Sequence, residues 1–440
     1  MSPLPPGRLV AFYGDDFTGS AAVMEVLAFA GLDTVLFLDI PTESDLARFP
    51  GARAIGIAGT ARSQPPDWLD AHLPPVFAAL DRLGAPLIHY KVCSTFDSSP
   101  EIGSIGRAVD IAQSFWTGWH PLLVAAPVMR RYQAFGQLFA NAGPDIFRLD
   151  RHPVMRRHPT TPMDEADISL HLARQTDIPI GLVTLADWRR DGGSEALTRE
   201  TEAGNRILAF DAVDETDMTA AGALIWRHRG ERLFAIGSQG IEYALTAHWR
   251  AAGALPPEKP LAGAGRHDRI LAVSGSVSAT TAAQIDWAAA NGFAPIPLDP
   301  SALIDGNPAP AIAAALQALD AGKSPLIHSA RGPDDPAIAA FANSGLDRAR
   351  IGTMLGDILA GLVARTGLTR AVISGGDTSG HAAQKLGIYA FTALAPTIPG
   401  AALLTAHRRD GTALQLALKG GQMGTEDYFD WIRDGGGPRI

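Results

Sequence analysis

Ala371–Gly387, AVISGGDTSGHAAQKLG, runs from a short apolar segment through two glycines into an acid, two hydroxyls and an alanine-rich stretch. It reads as a buried strand that turns through Gly375 and Gly376 into the first turn of a helix. In open α/β sheets that junction binds ligands, because glycine admits a ligand close to the backbone and the helix offers its unpaired N–H groups and positive end to an anion. Asp377 and Thr378 are also ordinary N-cap residues, and capping alone would account for either. A second turn of the same kind shifts the balance: in SGSVS, Ser274, Gly275, Ser276 and Ser278 follow another apolar run. Two such edges can close on one nucleotide through backbone amides, since the Walker pattern G-x-x-x-x-G-K-[ST] occurs nowhere in the chain.

Outward from this stretch, apolar runs alternate with segments of helical spacing. RLVAFY, TVLFLDI, ARAIGIAG, PLIHYKV, PLLVAAP, IGLVTLA, RILAFDAV and LFAIGS come first; RILAVSGS, FAPIPLD, SPLIHSA and RAVISGG follow. Continuous apolar runs are the mark of strands buried on both faces of a parallel sheet. The fold class is therefore α/β in two domains, the first a doubly wound, mostly parallel sheet. The second is an α/β nucleotide-binding domain that ends in an antiparallel portion, because AALLTA and TALQLALKGG are separated only by the polar turn HRRDG. Hydrophobic periodicity lapses between Ala251 and Arg269, which sets the domains at 1–255 and 266–434 and makes Pro256–Gly265 the expected hinge.

With 440 residues, 46% hydrophobic and 19% charged, the chain exceeds the roughly 250–300 residues that one core supports. A net charge of −9 excludes the basic footprint of a nucleic-acid binder. The single cysteine, Cys93, excludes an intrachain disulfide and fits a reducing compartment. No run approaches the ~20 apolar residues of a membrane helix, and the first apolar run is too short for a signal peptide. The expectation is a cytoplasmic protein that binds neither membrane nor nucleic acid, with a homodimer left open.

In FYGDDFTGSAA, Asp15 and Asp16 stand side by side at the end of the first strand, where repulsion calls for a cation or a transferred proton. One of them is expected to face a ligand while the other caps the helix that follows. Lys91 ends an apolar strand in HYKVCSTFDSSPEIGSIGRA and precedes Ser94, Thr95, Asp97 and Ser98. A lysine so placed meets a carboxylate or phosphate as a point charge, with hydroxyls completing the recognition. Arg62, after the third strand, and the HPTTPM loop from His158 to Met163 belong to the same edge. No motif supplies a metal-ligand set around His158.

These motifs, with SGGDTSG, APTIPG and LKGGQMGTEDYF, resemble the four-carbon acid sugar kinase family over about Leu9 to Trp431. The resemblance implies an N-terminal sugar-acid-binding domain, a C-terminal ATP-binding domain, and Mg2+ with the nucleotide. It places nucleotide contacts on Ser276, Ser278, Gly375, Gly376, Asp377, Thr378 and Gly421. It places the small-molecule sugar acid among Asp15, Asp16, Arg62, Lys91, Ser94 and Thr95, and the Pro-containing HPTTPM loop with His158 is expected to close over that polyol. Asp16 is the expected proton acceptor, and Lys91 and Arg62 are expected to pair with the substrate carboxylate; Asp15 and Asp377 both remain open as metal ligands. KVCSTFD looks more like the 3-oxo-tetronate and 3-oxo-isoapionate kinases than the threonate kinases, whose stretch resembles K-x-D-S-T-L-R-G-N. Ser104 stands where relatives often carry asparagine.

Overall fold

The computed structural model describes residues 4–257, 261–345, 347 and 349–438, the side chains at 377 and 381 excepted. The chain divides into two compact units, Met1–Glu258 and Lys259–Ile440.

The strands of the first unit are β1 (Val10–Gly14), β2 (Thr34–Phe37), β3 (Ala54–Ala58), β4 (Leu87–Lys91), β5 (His120–Leu123), β6 (Arg131–Ala134), β7 (Gln137–Ala142), β8 (Asp145–Arg148), β9 (Ile180–Val183), β10 (Ile207–Phe210) and β11 (Leu233–Gly237). All but β6–β8 form one parallel sheet in the order β2-β3-β1-β4-β11-β5-β10-β9. Every residue of β1, β4 and β11 is buried, as a sheet covered on both faces requires. Phe77, from the helix Pro66–Arg82, packs its ring 5.5–6.2 Å from those of Trp116, Phe234 and Tyr90 on one of those faces. The chain leaves β1 for β2, returns to lay β3 between them, then crosses to put β4 on the other flank of β1. Strand order thus reverses at β1, and the crevice outside the carboxyl ends at such a reversal is a binding position.

Beside the expected, mostly parallel sheet the unit carries a small antiparallel one, β6-β7-β8, that the apolar runs do not announce. Its strands are short and partly polar, and its first turn uses Phe135 at φ 49° before Gly136 at φ 78°, a position for which phenylalanine is no signal. The turn holds because buried Asp211, just after β10, accepts from the amides of Phe135 (2.6 Å) and Gly136 (2.9 Å). That anchors the hairpin tip at the carboxyl end of β10.

The second unit contains β12 (Leu271–Ser274), β13 (Phe293–Pro297), β14 (Ser324–His328), β15 (Arg370–Ser374), β16 (Ile388–Ala395), β17 (Leu403–Arg408) and β18 (Ala413–Lys419). They order as β13-β14-β12-β15-β18-β17-β16, parallel as far as β18 and antiparallel beyond it. The antiparallel pair expected from AALLTA and TALQLALKGG is β17–β18; β16 extends it. Strand order again reverses, here at β12.

Of the expected hinge, residues 258–260 lie outside the described ones; near its C-terminal end Ala264 donates to the Gly435 carbonyl (2.8 Å), and just past it His267 donates to that of Arg433 (2.9 Å). Arg370, at 0% exposure, fastens the same corner: its guanidinium donates to the Gln415 side chain (2.8 Å) and to the carbonyls of Gly265 (2.7 Å), Arg433 (2.9 Å) and Ile432 (3.2 Å). A buried cation is tolerated there because acceptors replace its water. Arg370→Met orphans those acceptors and should lower the unfolding free energy by about 3 kcal/mol. The measurement is chemical denaturation, in which an unchanged midpoint would contradict this account.

Candidate active site

The reversal at β1 gathers residues from three strand ends. Asp15 and Asp16 follow β1, Arg62 lies in the turn after β3, and Lys91 closes β4. Arg62 grips Asp15 through Nε (3.2 Å) and Nη2 (2.6 Å), and the same Nη2 reaches Asp16 Oδ1 at 2.8 Å. One guanidinium therefore separates two adjacent carboxylates, and its Nη1 makes no further bond among the described residues.

The two acids differ in setting. Asp15 is 3% exposed with both oxygens on Arg62. Burial pushes its carboxyl above the ordinary range, only partly offset by Arg62. Asp16 caps the helix Phe17–Phe29 by accepting from Gly19 N (3.0 Å), takes the Thr18 hydroxyl on Oδ2 (2.6 Å), and keeps a quarter of its side chain exposed. Burial again acts upward, but Arg62, Lys91, Thr18 and Gly19 outweigh it and hold this carboxyl below its usual range. The expected division, one acid facing the ligand and the other capping, is replaced by one residue, Asp16, that caps and stays open while Asp15 is given to Arg62.

Lys91 is buried and donates Nζ to the Val92 carbonyl (2.6 Å). A Cβ on Gly19 would fall 2.8 Å from that Nζ and 2.4 Å from Asp16 Oδ1, so the ammonium and the carboxylate share the space a side chain would fill. Thr95 gives its hydroxyl to Asp97 Oδ1 (2.6 Å) and lies 2.9 Å from Cys93 Sγ; Ser94 is buried beside it. Asp97, which the sequence noted without a role, joins the cluster: burial acts upward on its carboxyl, but Arg62 and Thr95 hold it low. Ser104, where relatives often carry asparagine, accepts from Arg107 N (3.1 Å) as the N-cap of the helix Ile105–Ala112. His158 accepts from Thr161 N (3.1 Å), which shapes the HPTTPM loop, and no bond ties it to the Asp–Arg cluster among the described residues.

Arg131, at the start of β6, escaped the sequence reading. Its Nη1 donates to the Met129 and Arg130 carbonyls (3.1 and 3.3 Å) and to the Asn141 side chain, and its buried Nε meets no acceptor among the described residues. Burial lowers its pKa, and the Cys93 group acts on it in the opposite direction.

In the second unit the turns after β12, β15 and β18 converge. Ser274 pairs with Ser374, and Ser374 with Lys419, so three adjacent parallel strands end level. A Cβ on Gly275 would lie 2.1 Å from Thr378 Oγ1, and Gly375 sits at φ 123°; both turns need glycine to come this close. Ser278 caps the helix Ala279–Ala290 and donates to the Gly421 carbonyl (2.5 Å), which leaves Ser276, Thr378 and Ser329 as the hydroxyl-bearing residues that line the cavity. The cavity, about 540 Å3, is lined by Gly275, Ser276, Gly375, Gly376, Thr378 and Gly421, and by an apolar set that includes Leu298, Ile338 and Phe341. The helix Gly376–Lys385 starts at this wall; the side chain of Asp377 lies outside the described residues. Lys419, beneath the third turn, also went unsingled in the sequence, although its place at the end of an apolar run mirrors that of Lys91.

Burial, and then Asp97, push the Cys93 thiol up to about 11. An aromatic disulfide reagent at about pH 8 should therefore spare the native chain while reacting fully with the denatured one. Fast native labelling would mean that the Cys93–Asp97 loop opens.

Residues 10–245 match the family model of a sugar-binding N-terminal domain, and residues 271–429 that of a nucleotide-binding C-terminal domain. The chain is 46% identical to the 3-oxo-isoapionate kinase of Paraburkholderia graminis, covering 98% of this chain and 95% of that one. It is 33% identical to the 3-oxo-tetronate kinase of Methylobacterium radiotolerans, over 94% and 96%. A crystal structure from Salmonella typhimurium LT2, provisionally described as a tRNA synthase, superposes with a TM-score of 0.80 at 25% identity, covering 96% of this chain and 98% of that one. The chain belongs to the four-carbon acid sugar kinase family.

Proposed function

We propose that this chain transfers the γ-phosphoryl group of ATP to a hydroxyl of a short 3-oxo sugar acid, with the first unit holding the acid and the second the nucleotide. The observation that carries the reading is the 540 Å3 cavity, whose apolar lining suits a base and whose glycine and hydroxyl turns suit a phosphate chain. Ser276, Gly375, Gly376, Thr378 and Gly421 are its nucleotide contacts in this reading. The 46% identity to a 3-oxo-isoapionate kinase favours the branched five-carbon acid over the four-carbon one.

Mg2+ asks for one or two protein carboxylates and completes its shell with phosphate oxygens and water. The donors fit an ion that arrives on the nucleotide, since no group of three His, Cys, Asp or Glu able to hold a metal occurs among the described residues. Asp377, at the start of the helix Gly376–Lys385, is the residue whose backbone position suits it, whereas both oxygens of Asp15, the other expected ligand, are on Arg62; the ion would neutralise phosphate charge.

On the acceptor side, the hydroxyl oxygen forms its bond to the γ-phosphorus as the bond to the bridging oxygen breaks, ADP departs with that electron pair, and the hydroxyl proton passes to Asp16. Asp16 is a carboxylate throughout the neutral range, and its Oδ2 carries only the Thr18 hydroxyl among the described residues. Phosphoryl transfer asks for positioning more than for a strong base, so a low pKa is no obstacle. The substrate carboxylate is assigned to Lys91, to the Nη1 edge of Arg62, and to Arg131. Asp15, Asp16 and Asp97 outnumber Arg62 and Lys91, and Arg131 restores the balance that an incoming anion needs.

A coupled ADP-release assay over 3-oxo-isoapionate, 3-oxo-tetronate, threonate and erythronate tests the reading, with turnover expected on the 3-oxo acids. Asp16→Asn keeps the cap to Gly19 but loses the proton acceptor, so kcat should fall about a hundredfold or more while the KM for ATP holds. Near-normal turnover would remove Asp16 from this role. ADP release with none of the acids would end the reading.

A further inference from the structure

Lys419 is 0% exposed at the end of β18, and no carboxylate bonds it among the described residues. Its Nζ donates to Thr281 Oγ1 (3.2 Å) and to the carbonyls of Gly420 (3.2 Å) and Gly421 (3.5 Å). The Gly421 carbonyl also accepts from Ser278 Oγ (2.5 Å) and Thr281 Oγ1 (2.7 Å). Three donors thus pull one carbonyl inward at a residue that lines the cavity.

In a planar trans peptide the N–H points away from the carbonyl of the preceding residue. With the Gly420 and Gly421 carbonyls turned to the ammonium, the amides of Gly421 and Gln422 face the other way, and successive N–H groups so arranged form an anion-binding nest. We infer that Lys419 is a positioning residue for the nucleotide phosphates: its buried ammonium sets the Gly420–Gln422 peptides so that their amides bind an anion at the cavity. This rests on the nucleotide reading above, but adds a residue that touches no ligand itself.

The alternative is a lysine that merely fills space, and there the physics is unfavourable. A buried ammonium costs several kcal/mol, and a methionine fills similar volume without that cost. Burial alone lowers the Lys419 pKa to about 8. The groups facing it are the Tyr428 ring, 5.8 Å from Nζ to the centroid, the Thr281 and Ser278 hydroxyls and the two carbonyls, with no charged side chain among the described residues. Below about 8 the ammonium has a donor for each of its three acceptors; above it the neutral amine keeps two donors for the three and loses the charge that strengthens those bonds.

The signs then separate two observables. Between about 8 and the unfolded value of about 10.4 the unfolded chain binds more protons than the native one, so this group adds stability as pH rises. Phosphate affinity moves the other way, because the nest loosens as the charge leaves.

Calorimetric titration of the full-length chain with ADP, and with adenosine as the phosphate-free control, tests this at about pH 7 and about pH 9. Wild type should bind ADP about tenfold more weakly at the higher pH, with adenosine unchanged. Lys419→Met should bind ADP about tenfold more weakly at both values, and Lys419→Arg, which keeps its charge, should recover part of the affinity with a flat profile. A flat ADP profile in wild type overturns the inference and needs no variant to fold. So does a folded Lys419→Met chain with wild-type ADP affinity. Wild type that binds neither ADP nor adenosine would overturn the nucleotide reading itself, a failure distinct from that of Lys419 alone.

Discussion

At β1 and again at β12 the crossovers leave in opposite directions, and the chemistry of both units depends on that divergence. Where neighbouring crossovers run the same way, the turns that leave a parallel sheet crowd one another. Where they diverge, the strand ends stay uncovered and the helices that start there keep their N-termini free. In the first unit this places β1, β3 and β4 side by side with their last residues level, Gly14 opposite Ala58 and Lys91. In the second it sets β15 beside β12, and β18 follows on the far side of β15 with its last residue level with theirs. One topological device thus produces two sites of opposite character, the first dense with charge and the second with backbone amides and small hydroxyls.

Arg62 makes the first of these stable. Two carboxylates in succession at a sheet edge repel each other, and burying one of them adds a desolvation cost. A planar guanidinium resolves both problems because its fork spans Asp15 bidentately while one nitrogen reaches Asp16. The consequence is asymmetry. Burial drives the Asp15 carboxyl upward in pKa although the fork opposes it, whereas Arg62 and Lys91, with the Thr18 hydroxyl and the helix N-terminus, drive Asp16 down. Acids whose environments push their titrations apart can take different tasks, one structural and one at the ligand.

The sequence was most legible where the signal is local. The parallel strands of both units, the antiparallel β17–β18 pair and the glycine turns, though not β16, could be read from apolar runs and their endings, since a strand buried on both faces leaves little freedom in composition. The small sheet β6–β8 was not, because its strands are short, its turn is built on Phe135, and the carboxylate that holds the turn, Asp211, lies far along the chain. The same distance in sequence hid the destinations of the site side chains. Arg62 reads as a free cation after a strand, and nothing near it says that its fork is taken by residues of another strand end. Ser278 reads as a phosphate ligand, yet the helix it precedes and Gly421, on a turn that only folding brings close, claim its hydroxyl. Residue types announce capacity, while partners depend on strand order.

Three buried cations show how position sorts structure from function. Arg370 lies at the amino end of β15, away from the binding edge, and its guanidinium is surrounded by acceptors that close a corner of the unit. Lys91 and Lys419 end their strands at the binding edge, with backbone carbonyls as acceptors close by. An ammonium satisfied in this way keeps most of its charge uncompensated, and in a poorly screened setting that charge acts on whatever lies across the loop. Lys91 acts on Asp16 directly, across the gap left by Gly19. Lys419 has no such neighbour, so its influence passes through the peptides it orients, and a residue without ligand contact belongs to the site as much as those that line it.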